Sequence, residues 1–241
     1  MMDELPIRVC AMSTRPSDQA LVRDLAQRYP DKVVPAFGYH PWFSHWISTS
    51  TEPEGTQISK EAHYRSLLLS QSSSPEHRAA FDRLLPYLPD PTPLHDILTS
   101  LRADLLAFPH AMLGEVGLDR SARIPYTTPS LPPYTLHEPA HGTRKDVLSP
   151  FTIPIDHQVK VLEVQLEVAV ELGRNVSVHS VKAQLATVEL LERMKGRFGS
   201  QWADVSVDLH SCGLSAETWK DIEVSQTLHL NLSIAQGCCR R

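Results

Sequence analysis

The chain's 241 residues suit one α/β barrel of ordinary size, and its 41% hydrophobic and 21% charged residues lie near the globular average. That composition excludes wholesale disorder, a collagen-like repeat and a continuous coiled coil, and no apolar run approaches a bilayer span. The net charge of −5 argues against a bulk electrostatic grip on DNA or membrane, while leaving room for one phosphate chain held by a metal or a local patch.

The opening Met1-Met2-Asp3-Glu4-Leu5-Pro6 lacks the basic region and apolar stretch of a secretory leader. The four cysteines (Cys10, Cys212, Cys238 and Cys239) lack the spacing of a disulfide framework. A soluble chain in a reducing compartment, cytoplasmic or nuclear, is the expectation.

Short apolar segments then alternate with helical patterns. Strands are predicted over 7–12, 33–37, 111–116, 176–178, 205–209 and 228–233. Between them Leu21, Leu25 and Arg28, then Val159, Leu162, Leu166 and Val170, then Leu185, Val188 and Leu191 recur at helical spacing. Asp156 is the expected N-cap of the second of these helices and Gly173 its expected stop. This β-α-β-α rhythm predicts a parallel sheet with right-handed crossovers.

Two stretches interrupt the rhythm. The segment from 59 to 108 is helical and polar, breaks at 70–74, and reads as an elaboration of one crossover. Prolines cluster over 85–93 and again over 125–154, where seven of them mix with Tyr, Thr, Ser and His and suggest a loop. A structureless loop this long is usually a functional or lineage-specific insertion, and a plain surface decoration is the blander reading. The expected organisation is a single domain over 1–241, with a helical insertion at about 48–108 and a Pro-rich loop insertion at about 121–154.

Strands of a parallel sheet end at a common face, so polar residues at their C-terminal ends converge even when far apart in sequence. Here four strand ends run into Gly38-Tyr39-His40-Pro41-Trp42, Gly114-Glu115-Val116-Gly117-Leu118-Asp119, His179-Ser180 and His210-Ser211-Cys212-Gly213. They deliver His40, Glu115, His179 and His210. The separation between His179 and His210 is that of one crossover unit, which puts the two imidazoles on neighbouring strands. A lone histidine at a strand end is more often a hydrogen-bonded structural residue. A carboxylate meeting two or three imidazoles is a divalent-metal arrangement suited to hydrolysis. His45, His63, His77, His95, His137, His141, His157 and His229 fall elsewhere and receive no role. The chain has no Gly-x-Ser-x-Gly elbow, phosphate loop or Cys-x-x-Cys; Cys212 reads as a packing residue, Ser211 as no nucleophile.

Taken in order, Gly38-Tyr39-His40-Pro41, the glutamate motif from Gly114 to Asp119, Val178-His179-Ser180 and Leu209-His210-Ser211-Cys212-Gly213 resemble the TatD family of metal-dependent hydrolases. The stretch from Met12 to Phe43 is similar to its fungal Cut-nine-interacting branch. The resemblance implies a TIM-like barrel binding one or two divalent ions (Mg, Mn or Zn) and a deoxyribonuclease or phosphodiesterase working through a metal-bound water. Carried over by position, Glu115 would be the catalytic, metal-bridging carboxylate, with His179 and His210 as further metal ligands. His40 would lie by the substrate phosphate. DNA or another phosphodiester would be the substrate, a protein partner is a further expectation, and no membrane is expected.

The chain also departs from that pattern. The family opens with a strand ending in His-x-His and closes with one ending in Glu-Thr-Asp, and neither appears here. Six candidate strands therefore correspond to strands two to seven of eight, and the expectation is an incomplete barrel from a truncated gene model or splice form, with fewer ligands and no aspartate base. A catalytically dead barrel serving as a protein-interaction scaffold is the competing reading.

Overall fold

In the computed structural model, residues 4, 6–50, 58–129, 148–217 and 220 are described. Regular structure begins with β1 (Val9–Met12), α1 (Pro16–Arg28) and β2 (Val33–Phe37). A 3-10 turn over Pro41–Trp46 leads into β3 (Ile47–Ser48), and α2 (Lys60–Leu68) and α3 (Pro75–Leu84) follow. Next come β4 (Thr92–Pro93), α4 (Leu94–Ala107), β5 (Met112–Asp119), β6 (Arg123–Pro125) and β7 (Leu148–Thr152). The remainder is α5 (Ile155–Leu172), β8 (Val176–Val181), α6 (Gln184–Phe198), the single turn α7 (Ser200–Ala203) and β9 (Val207–His210).

The expected parallel sheet is present: β1, β2, β5, β8 and β9 pair in that order, every pairing parallel. Strands buried on both faces must be apolar nearly throughout, and Phe37, Leu113, Val116, Val176, Val178 and Leu209 meet that need. Against them pack Leu101 and Leu105 of α4, Leu162, Leu166 and Ala169 of α5, and Leu190, Leu191 and Met194 of α6. Two strands run further than the sequence predicts, β5 to Asp119 and β8 to Val181. Their polar C-terminal residues look like loop in the sequence yet stay paired, Asp119 opposite Val181. The candidate strand at 228–233 lies outside the described residues.

The Pro-rich segment is not wholly loop, as the sequence suggested: β6 and β7 pair antiparallel across it. Ile124, Phe151 and Ile153 are buried against Tyr64, Phe81, Leu84 and Leu88, giving α2 and α3 a small core of their own. Tertiary burial thus pins a ribbon too short for any alternation signal. The N-cap expectation also shifts. Pro154 occupies that position and Asp156 lies in the first turn of α5, where its charge still favours the helix dipole. Gly173 ends the helix as expected, at φ 60°, its N–H reaching the carbonyls of Ala169 and Val170. Among the described residues no helix is long and apolar enough to cross a membrane.

Candidate metal centre

Parallel register brings the strand-end residues together. Gly117 of β5 stands opposite His179 of β8, and His179 opposite His210 of β9. The first pairing requires glycine: at φ 152°, a Cβ on Gly117 would lie 2.0 Å from the His179 carbonyl oxygen. His40 follows β2 as the N-cap of the 3-10 turn, its Nδ1 accepting the Trp42 backbone N–H at 3.2 Å.

All three imidazoles meet one oxygen. Glu115 Oε1 lies 2.7 Å from His210 Nε2, 3.2 Å from His179 Nδ1 and 3.4 Å from His40 Nε2. Potential ligand atoms of His40, Glu115 and His179 all fall within 4.8 Å of one another. Burial alone would raise the Glu115 carboxyl, but the imidazoles of His179, His210 and His40 around it outweigh burial and hold it far below the usual range. Burial likewise depresses His40 despite its contact with Glu115. His210 goes the other way. Burial opposes its charge, yet Asp208 and Glu115 carry it up to about 9.

Three further groups orient this cluster. Asp119 is buried; its Oδ2 accepts the Trp42 indole N–H at 2.7 Å and lies 3.4 Å from His179 Nε2. Burial pushes the Asp119 carboxyl up, but bonds from Trp42, Ser121 and His179 win and keep it low. Behind His210, Ser177 Oγ lies 3.1 Å from Nδ1 and donates to Asp208 Oδ2 at 3.0 Å. Histidine ligands typically give their second nitrogen to a carboxylate or similar acceptor.

These contacts sort the tautomers. Because His40 Nδ1 accepts a backbone proton, a neutral His40 carries its hydrogen on Nε2 and acts as a donor. His179 has Nε2 beside Asp119, which leaves the lone pair of Nδ1 facing Glu115. That Nδ1 is buried and makes no hydrogen bond, although Glu115 Oε1 lies 3.2 Å away. A buried orphan nitrogen within a carboxylate–imidazole set fits a divalent cation. The cluster opens into a cleft of about 540 Å³ lined also by Thr14, Arg15, Asp18, Trp42 and Ser211.

The sequence reading had no role for Asp119, Trp42 or Asp208, although two carried a signal. Positions 115, 117 and 119 of a strand share a face, as do 208 and 210, so each carboxylate was placeable once the strand limits were known. His45, His63 and His157, also without a role, form part of the scaffold beneath the turn after His40. His157 Nε2 meets the Ser44 carbonyl at 2.8 Å and His63 Nε2 that of His45 at 2.9 Å. Burial lowers all three, His45 to about 3.

Comparison with known proteins finds that the family model described as TatD related DNase matches residues 3–235. The Cut9-interacting protein scn1 of Schizosaccharomyces pombe (strain 972) is 35% identical over 177 residues, which are 73% of this chain and 48% of that protein. Among solved structures, YJJV, a TatD homologue from Escherichia coli K12, is 14% identical with a TM-score of 0.42, covering 83% of this chain and 55% of that one. The chain spans about half the length of the relatives it matches.

Proposed function

The chain belongs to the TatD related DNase family, and on that premise we propose that it is a metal-dependent hydrolase of phosphodiesters, single-stranded DNA above all. The observation that carries this reading is the convergence of His40, His179 and His210 on Glu115, with the buried Nδ1 of His179 making no hydrogen bond. Glu115 and His179 would hold one divalent ion, joined by His210 once the proton between its Nε2 and Glu115 is displaced; when bound, the ion supplies Lewis acidity toward water and charge neutralisation on a phosphate.

The chain's own residues divide the remaining work. Asp119 fixes the ring of His179 from behind, and Asp208 with Ser177 does the same for His210. His40, held as an Nε2–H donor by the Trp42 backbone, faces the position a phosphate oxygen would occupy beside Glu115. Trp42, half exposed, closes one side of the cleft while its indole anchors Asp119.

Calorimetric titration of the purified chain with Mn²⁺ or Zn²⁺ tests the centre. Binding should be present in the parent and lost in Glu115→Ala and His179→Ala; binding absent in the parent, or unchanged in both variants, overturns it. Manganese-dependent degradation of single-stranded DNA, abolished by Glu115→Ala, tests the chemistry.

A second reading, a barrel kept as a protein-interaction scaffold, draws on the similarity to a fungal protein whose name records an interaction. It predicts a chain that holds metal yet cleaves no DNA at any metal concentration.

A further inference from the structure

Beside the metal centre lies a hollow of another kind. A cavity of about 320 Å³ is walled by Tyr39, Phe43, Trp46 and Tyr87, with Arg15 and Asp90 among its polar lining. Phe43 and Trp46 belong to the same 3-10 turn that His40 caps. Tyr87 and Asp90 come from the connection between α3 and β4.

Arg15 and Phe43 also line the cleft that holds His40, Glu115 and His179, so the two hollows share a wall. The guanidinium carbon of Arg15 stands 5.3 Å from the centre of the Phe43 ring, and its Nε faces Asp18 Oδ1 at 3.5 Å. A cation is thereby stationed at the junction of an aromatic cavity and a carboxylate–imidazole centre.

Flat aromatic walls with a few polar groups suit a planar heterocycle, and a cation at the mouth suits an anionic group attached to it. We propose that this cavity is a nucleobase subsite: the base next to the scissile phosphate enters between the aromatic walls, while Arg15 meets the phosphate charge at the junction. This inference rests on the phosphodiester reading of the metal centre. Ligand cavities start at about 300 Å³, and at about 320 Å³ this one has room for a base with its sugar. A single strand, or a base swung out of a duplex, is then the form that reaches the site. Stacking on aromatic rings tolerates every base, and the Asp90 carboxylate favours those offering an exocyclic amine.

The test uses the full chain in EDTA, so that no metal chemistry contributes, and follows binding by tryptophan fluorescence and calorimetry. The probes are dAMP and 2-deoxyribose 5-phosphate, which differ only in the base. The parent should bind dAMP at least roughly fivefold more tightly than the base-free phosphate. Tyr87→Ala, at a partly exposed wall, should erase most of that difference while leaving the sugar phosphate unchanged; Trp46→Leu is the second variant should the first fold poorly. Equal affinity for the two probes, or a base preference that both variants retain, overturns the subsite. The metal titration with Glu115→Ala fails or succeeds separately. A parent chain that shows no base-dependent binding yet holds metal rejects the cavity alone, and one that binds the base yet holds no metal rejects the hydrolase reading alone.

Discussion

Replacing Gly117 by alanine probes the contact that sets the candidate metal centre. At φ 152° the new Cβ would sit 2.0 Å from the His179 carbonyl oxygen and 2.8 Å from its backbone nitrogen and carbonyl carbon. Real Cβ atoms do not approach closer than 3.0 Å, so β5 and β8 must separate by about 1 Å at this point. The obstacle is backbone, and no side chain can rotate away. The unfavourable dihedral costs about 1–3 kcal/mol and overpacking a similar amount, which together make about 2–6 kcal/mol against a domain stability of about 5–15 kcal/mol. Gly173→Ala is the control. It also has a positive φ, of 60°, but its Cβ would meet nothing within 4 Å, so only the conformational cost of about 1 kcal/mol applies. Urea titrations of both variants should therefore differ by at least about 1 kcal/mol. Because the clash moves His179 itself, calorimetry should find metal affinity reduced at least about tenfold in Gly117→Ala and unchanged in Gly173→Ala. Equal destabilisation of the two variants, or undiminished metal binding by Gly117→Ala, would refute the close-approach argument.

Other expectations follow from single contacts. Asp119→Asn removes the charge behind His179 while keeping an acceptor for Trp42, and should weaken metal binding about 10- to 100-fold in calorimetry; an unchanged affinity would separate Asp119 from the centre. Gly196→Ala, within α6 and with open space around its Cβ, should stabilise the fold by about 0.5–1 kcal/mol in urea unfolding, and a loss of stability would contradict the helix as described. Acid should destabilise the chain before its carboxylates titrate. His45, His63 and His157 are held below their ordinary value by burial, so the unfolded state takes up the protons. Their contribution is full above about pH 6.5 and is lost as pH falls toward the folded values, at up to about 1.4 kcal/mol per pH unit for the buried His45 and His157 and less for the more exposed His63. Urea midpoints that stay flat between pH 6.5 and 5 would show that these rings already titrate in the folded chain.

Much of this molecule is legible in one dimension, because the signals are local. Five strand positions, the break between α2 and α3 and the stop at Gly173 follow from apolar periodicity and backbone chemistry within a few residues. The convergence of His40, Glu115, His179 and His210 follows equally, since parallel strands must end at one face. What the sequence left open depends on contacts between distant segments. The β6–β7 ribbon exists because Ile124 and Phe151 find Tyr64 and Phe81 to bury against, which strands of three and five residues interrupted by proline do not announce. Which nitrogen of each histidine faces Glu115 is decided by Asp119, Asp208 and the Trp42 backbone, and the aromatic cavity is assembled from a turn after β2 and a connection before β4. Period and propensity are properties of neighbours in the chain, so the sequence determined the sheet and the residues at its mouth. Side-chain orientation and enclosure are properties of neighbours in space, and only the tertiary structure decided them.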